Sequence, residues 1–166
     1  MKGFSIALAS VAAILAAPSH ATAQGAGQQE MQFAQFFVGT WNCAHTVGDF
    51  SGTYKTTIAN VLDNRWLKQT YDFPASKGRA AVEGEFFIGY EPRNGKWLRF
   101  GAMSDGLYFT MVGTRSEDVW TWGYLLPGTK GSAVYTKTSE SGYTVDGPSY
   151  PENGRTVTEH HVCRKS

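Results

Sequence analysis

No stretch of this chain carries a catalytic signature. Gly-x-Ser-x-Gly, a phosphate loop, Cys-x-x-Cys and His-Glu-x-x-His are all missing. Hydrolase, nucleotide-binding, thiol-redox and metalloprotease chemistry therefore have no motif to rest on. No pair of carboxylates sits in contrasting environments for acid and base work; Glu83 and Glu85 read as solvated. An excess of charge is missing too, since 15 Lys and Arg face 14 Asp and Glu. That balance gives no electrostatic reason for nucleic acid or an anionic membrane as partner. Beyond Ala23 no apolar run is long enough to span a bilayer. No repeat and no linker divides the chain. Cysteine is nearly absent, with two residues.

What is present begins with a leader. Met1-Lys2-Gly3 is a short positive start, Phe4 to Ala17 an apolar run, and Ala21-Thr22-Ala23 an Ala-x-Ala cleavage step. These are the three parts of a secretory signal peptide, 1–23, cleaved after Ala23. A periplasmic or secreted protein is expected. No Cys stands at the cleavage site to make a lipoprotein. In an oxidising compartment the two cysteines, Cys43 and Cys163, are expected to pair. Two buried free thiols are the alternative.

Nineteen glycines and 14% aromatic residues, with few long helix formers, indicate a turn-rich all-β protein. Residues 24–35 are a polar lead-in with the apolar spacing of a short helix, at or in one end of the fold, or else an extended segment. From residue 36 the chain is one β domain. Ten strand-like runs follow, each bounded by turn residues: 40–47, 53–62, 65–73, 82–91, 96–103, 107–115, 119–125, 133–139, 143–146 and 155–164. In the fourth, Val82, Phe86, Ile88 and Tyr90 share one face and Glu83, Glu85 and Glu91 the other. Asn94-Gly95 marks a tight turn with positive φ. A meander of this length tends to close, because closure removes two exposed edges. The expected fold is a single antiparallel up-and-down β-barrel of about ten strands; an open sandwich is the rival.

Gly39-Thr40-Trp41 is similar to the Gly-x-Trp signature that opens lipocalins and other calycin barrels. Leu62-Asp63-Asn64-Arg65-Trp66-Leu67, Gly89-Tyr90-Glu91 with Asn94-Gly95-Lys96-Trp97, and Phe109-Thr110-Met111-Val112-Gly113-Thr114 extend the likeness over nearly all of the chain after the leader. The order resembles an uncharacterised bacterial lipocalin-like family without a common activity. The resemblance implies a small barrel with a central cavity, of the lipocalin and fatty-acid-binding-protein kind. It also implies structural roles for Gly39 and Trp41, and for a basic residue near the chain end that covers the Trp41 indole. Arg164 is assigned to that place, with Lys165 the other candidate.

Pairing logic places further residues. If Cys43 faces Cys163 across an antiparallel pair, Trp41 falls opposite Lys165, His45 opposite His161 and Val47 opposite Glu159. Trp41, Cys43 and His45 share a face by period two. His45, His161 and Glu159 would then line one wall of the interior. They are expected to act as polar anchors for a ligand, with no metal or cofactor assigned. The alternative is a metal or haem site, or an enzyme built on the two histidines; the nitrobindin branch of ten-stranded barrels ligates haem through one imidazole. The Asn42-Cys43-Ala44-His45 run departs from that branch, which is Gly- and Glu-rich after its Trp. Tyr71, Phe86, Tyr90, Phe100, Phe109, Trp120 and Trp122, with Phe73 and Tyr135, form the expected aromatic lining of a pocket for a small hydrophobic or amphipathic molecule. A barrel packed solid, holding no ligand, is the remaining reading. If the leader is processed as read, the exported protein begins at Gln24. Intact-mass measurement on that protein checks this, and a retained Phe4–Ala17 run would refute it.

Overall fold

The computed structural model describes residues 20–76, 78–125, 131–152 and 154–166. The leader's apolar run, Phe4 to Ala17, lies outside the described residues, as does most of the expected loop at 127–131. A helix, α1 (His20–Ala34), leads through a 3-10 turn, Gln35–Phe37, into ten strands. These are β1 (Gly39–Val47), β2 (Phe50–Val61), β3 (Trp66–Phe73), β4 (Val82–Glu91), β5 (Lys96–Met103), β6 (Tyr108–Ser116), β7 (Val119–Tyr124), β8 (Ser132–Ser139), β9 (Gly142–Glu152) and β10 (Arg155–Lys165). Each strand pairs antiparallel with its neighbours in sequence, and β1 closes against β10. The fold is the closed up-and-down barrel the sequence predicts, not a sandwich. Among the described residues no helix is long and apolar enough to cross a membrane.

The closing seam has the inferred register. Trp41 lies opposite Lys165, Cys43 opposite Cys163, His45 opposite His161 and Val47 opposite Glu159. Cys43 and Cys163 are disulfide-bonded across a separation of 120 residues and are fully buried. A disulfide of this kind points to a compartment outside the reducing cytoplasm. Inward Trp41, Cys43, His45 and Val47 alternate with exposed Asn42, Ala44 and Thr46, as a strand with one covered face requires.

Two boundaries differ from expectation by more than one residue. The second strand begins three residues early, at Phe50, because Gly48-Asp49 alone makes the turn and Val47 pairs with Phe50. The ninth strand, expected as 143–146, runs on to Glu152 through Pro148 and Pro151. Proline cannot donate to a sheet, which is why the sequence pattern places no strand across 147–154. Past Asp146, however, β9 is paired through β10, while its pairing with β8 stops there. One side of β9 thus asks for no further donors, and proline is tolerated. At the expected Asn94-Gly95 turn, Gly95 takes a positive φ (62°) and Asn94 does not. The Glu91 carboxylate accepts the Arg93 and Asn94 N–H groups at 2.9 Å each.

The end of the barrel beside α1 is packed solid. Trp41, Trp97, Trp120 and Trp122 are all buried, and Phe33, Phe36 and Phe37 descend onto them from α1 and the 3-10 turn. Trp97 and Trp120 meet edge to face at 4.4 Å, and Phe37 stacks on Trp120 at 5.1 Å. Glu30 pins the helix down. It accepts from Arg115 Nη2 (2.7 Å) and Nε (2.8 Å) and from the Trp97 indole N–H (3.0 Å). The lead-in is therefore a helical plug, the first of its two expected forms. The expected cleavage step, Ala21–Ala23, falls in the first turn of α1, ahead of every residue that makes these contacts.

Lys165 covers the Trp41 indole, its Nζ 5.2 Å from the ring. The assignment of Arg164 to this place is corrected. Residues directly opposite one another share a face, so Lys165 goes with Trp41, while Arg164 lies opposite Asn42 on the outer face. Gly39, at φ 131°, leaves room for the lysine stem, since a Cβ there would stand 3.0 Å from Lys165 Cε.

The disulfide closes a loop long enough to remove about 4–5 kcal/mol of unfolded-state freedom in the chain-entropy model. The double variant Cys43→Ala/Cys163→Ala is expected to lose about 2–5 kcal/mol in denaturant unfolding. Its far-UV circular dichroism should stay unchanged, because the β1–β10 ladder does not need sulfur to close.

Candidate ligand cavity

The half of the barrel away from α1 is hollow. The cavity measures about 820 Å³ and opens to solvent, within the range of about 300–1,000 Å³ typical of small-molecule sites. Tyr54, Tyr71, Phe73, Phe86, Phe109, Tyr124 and Tyr135 wall it with aromatic surface. Phe50, with the Arg79 guanidinium stacked over its ring at 4.1 Å, also contributes to the lining.

The residues proposed from sequence divide three ways. His45, His161, Glu159, Tyr71, Phe86 and Phe109 do line the cavity. Tyr90, Trp120 and Trp122 point inward but belong to the packed end, with Tyr90 against Trp97 at 5.4 Å and Trp120 against Trp122 at 5.1 Å. Period two finds the inward face but not the depth along the barrel axis, and α1 has filled that depth. Phe100 is outside altogether, 43% exposed and packed on Phe87 and Trp66. Its neighbours Trp97 and Arg99 hold the inward phase of β5, so Phe100 must face out.

Sequence reasoning missed Arg99. The signal was available, because Trp97 inward puts Arg99 inward two residues on. Arg99 is 8% exposed. Its Nη2 donates to the Tyr71 hydroxyl at 2.7 Å and to Gln69 Oε1 at 3.4 Å, and its Nη1 lies 3.5 Å from Met111 Sδ. Its Nε is buried without a partner. The guanidinium stands over Phe86, 4.7 Å from the ring centre. Among the described residues no carboxylate pairs with it. Burial works against this cation, and charge on Tyr135, Tyr71 and Tyr124, present only once those phenols ionise, is what raises its pKa. Burial also lifts the Tyr54 and Tyr71 hydroxyls well above their ordinary range and Tyr124 to about 12, so the wall is neutral.

Across the seam, His45 and His161 stack as parallel rings with centres 4.5 Å apart. His45 Nε2 lies 3.0 Å from Glu159 Oε1 and His161 Nε2 lies 3.4 Å from the same oxygen. The Tyr54 hydroxyl meets His161 Nδ1 at 2.8 Å. Glu159 faces inward with His161 and Cys163 by strand alternation, and the β9–β10 pairing slips opposite it, between Thr158 and His160. Gly147 sits at that slip, where a Cβ would come within 2.7 Å of Glu159 Cβ. The irregularity falls on the β9 side, and the β1–β10 register runs through unbroken. Burial pushes the Glu159 carboxyl up, but His161 and His45 outweigh it and hold it at about 2. Burial, partly offset by Glu159, pushes His161 down.

No protein-family model matches the sequence, and no curated protein matches it. Among solved structures the chain is similar to a redesigned β-barrel, at 14% identity over 80% of this chain and 94% of that one, with a TM-score of 0.46. At that level the likeness adds nothing to the strand pairing described above.

Both depressed values have the same sign for stability. The favoured native form is ionised Glu159 and neutral His161, so their contributions are complete at high pH. His161's is lost as pH falls below its ordinary 6.5, and Glu159's as pH falls from its ordinary 4.5 toward about 2. Denaturant unfolding between pH 7 and pH 2.5 should show a steady loss. Glu159→Gln should flatten the part below 4.5; an unchanged acid limb would contradict the ionised carboxylate.

Proposed function

We propose that this is an exported, lipocalin-like barrel that binds one small amphipathic molecule, its apolar body against the aromatic wall and an anionic end at Arg99. One observation carries the reading: a buried arginine, with no carboxylate partner among the described residues, lies in a cavity walled by aromatic rings. A buried ion without a counter-charge costs several kcal/mol, and such a group persists where something offsets it. A carboxylate or similar anion brought by a ligand supplies the missing charge, and the unpartnered Nε offers it a donor. Tyr71 steers the guanidinium and the neutral tyrosines add hydroxyls without competing charge. Export is supported by the leader pattern and the disulfide. The lipocalin-like relationship is supported by Gly39-Thr40-Trp41 opening β1 and by the lysine over its indole.

Displacement of the uncharged apolar dye N-phenylnaphthylamine by decanoate and by decanol tests this at pH 7. Decanoate should bind about tenfold or more tightly than decanol, the difference a charge-assisted hydrogen bond makes. Arg99→Gln should erase the preference while still binding decanol. Equal affinities in the unaltered protein would remove the anion from the proposal. Failure of the dye and both amphiphiles to enter would remove the cavity function itself.

A further inference from the structure

We infer that His45, Glu159 and His161 form a binding site for one first-row divalent transition-metal ion, open toward the cavity. The inference does not depend on the amphipathic ligand. One donor atom from each residue lies within 4.8 Å of the other two. The two distances to Glu159 Oε1 are 3.0 and 3.4 Å. Donors bound to one ion at about 2.1 Å stand roughly 3.0–3.4 Å apart in octahedral or tetrahedral geometry. Both imidazole-to-carboxylate distances are thus at ligand spacing, the imidazole donors lie within 4.8 Å of each other, and rotation of the stacked rings would turn both lone pairs onto one ion.

Three further features point to an ion rather than to a satisfied hydrogen-bond cluster. First, His45 Nε2 is buried and, although 3.0 Å from the carboxylate, does not make a hydrogen bond to it. A polar nitrogen left in this way and aimed at an anion is the arrangement a bridging cation resolves. Second, Tyr54 is placed as an outer partner of His161. When Nδ1 carries the proton and donates to that hydroxyl, Nε2 turns its lone pair to the same space as His45 and Glu159. Third, no Lys or Arg among the described residues pairs with Glu159, whose only ion-pair partners are the two imidazoles. Its negative charge is not already spent on a permanent cation.

The seam supplies rigidity. On the inward face His45 and His161 follow the Cys43–Cys163 bond, two rungs along, and Glu159 follows two rungs beyond them. Two imidazole nitrogens and one carboxylate oxygen suit iron(II), cobalt, zinc or manganese rather than calcium or copper(I). Three protein donors leave positions free on the cavity side, where water or a ligand atom completes the shell.

The test is titration of the untagged protein with Zn²⁺ by calorimetry and with Co²⁺ by visible absorption. One ion per chain, bound in the micromolar range or tighter, is expected. His45→Gln, His161→Gln and Glu159→Gln should each weaken it by more than the roughly 10–100-fold that loss of an outer partner costs. Tyr54→Phe should fall within that 10–100-fold range, marking Tyr54 as a positioning residue. His160→Ala should change nothing, because His160 lies on the outer face, paired with Asp146 at 2.7 Å. Near-UV circular dichroism checks that each variant keeps the barrel. Unaltered protein that binds Zn²⁺ and Co²⁺ only near about 1 mM or weaker, or histidine variants that bind as the unaltered protein does, would overturn the assignment.

Discussion

The seam between β1 and β10 is the constraint on which the rest of this barrel depends. Nine of the ten strand pairings join neighbours in sequence and can form locally. The tenth brings together the two ends of the β domain, at the greatest loop-closure cost in the fold. A covalent bond reinforces it, on one rung of a backbone ladder that shares the same register. Because side chains alternate with a period of two, one fixed rung decides the facing of every residue on both strands. Trp41 with Lys165, and His45 with His161 and Glu159, follow from Cys43 with Cys163.

From that seam the interior divides along the barrel axis. Toward α1 lie four indoles and the phenylalanines of the plug, a volume filled with large rings and closed by the Glu30–Arg115 pair. Away from α1 the same inward face carries tyrosines, Arg99, two histidines and a glutamate. Close packing is the state of ordinary protein interiors. An aromatic-walled space beside a packed end is therefore a built feature, made by where the large residues stop.

Polar groups inside that space lower stability unless partnered, and two of them are only partly so. Arg99 keeps a bare Nε, and His45 a bare Nε2. Sites where local rules are broken are where function is stored. The proposed anion at Arg99 and the proposed cation at the imidazole pair would each supply a missing partner.

Much of this was legible in the residues alone. Alternation in 82–91, the turn residues, and two cysteines near the ends of the β domain determined a closed meander and the His45–His161–Glu159 wall, since strand period and antiparallel pairing are local rules that need no coordinates. The same rules could have flagged Arg99, two residues from Trp97. What they could not supply is depth. Whether an inward ring walls a cavity, as Phe86 does, or packs under a plug, as Trp120 and Trp122 do, depends on how far along the axis α1 reaches. The run of β9 through two prolines depends on where β8 stops, and the slip opposite Glu159 on how β9 meets β10. Those are contacts between segments far apart in sequence, and only the tertiary structure decided them.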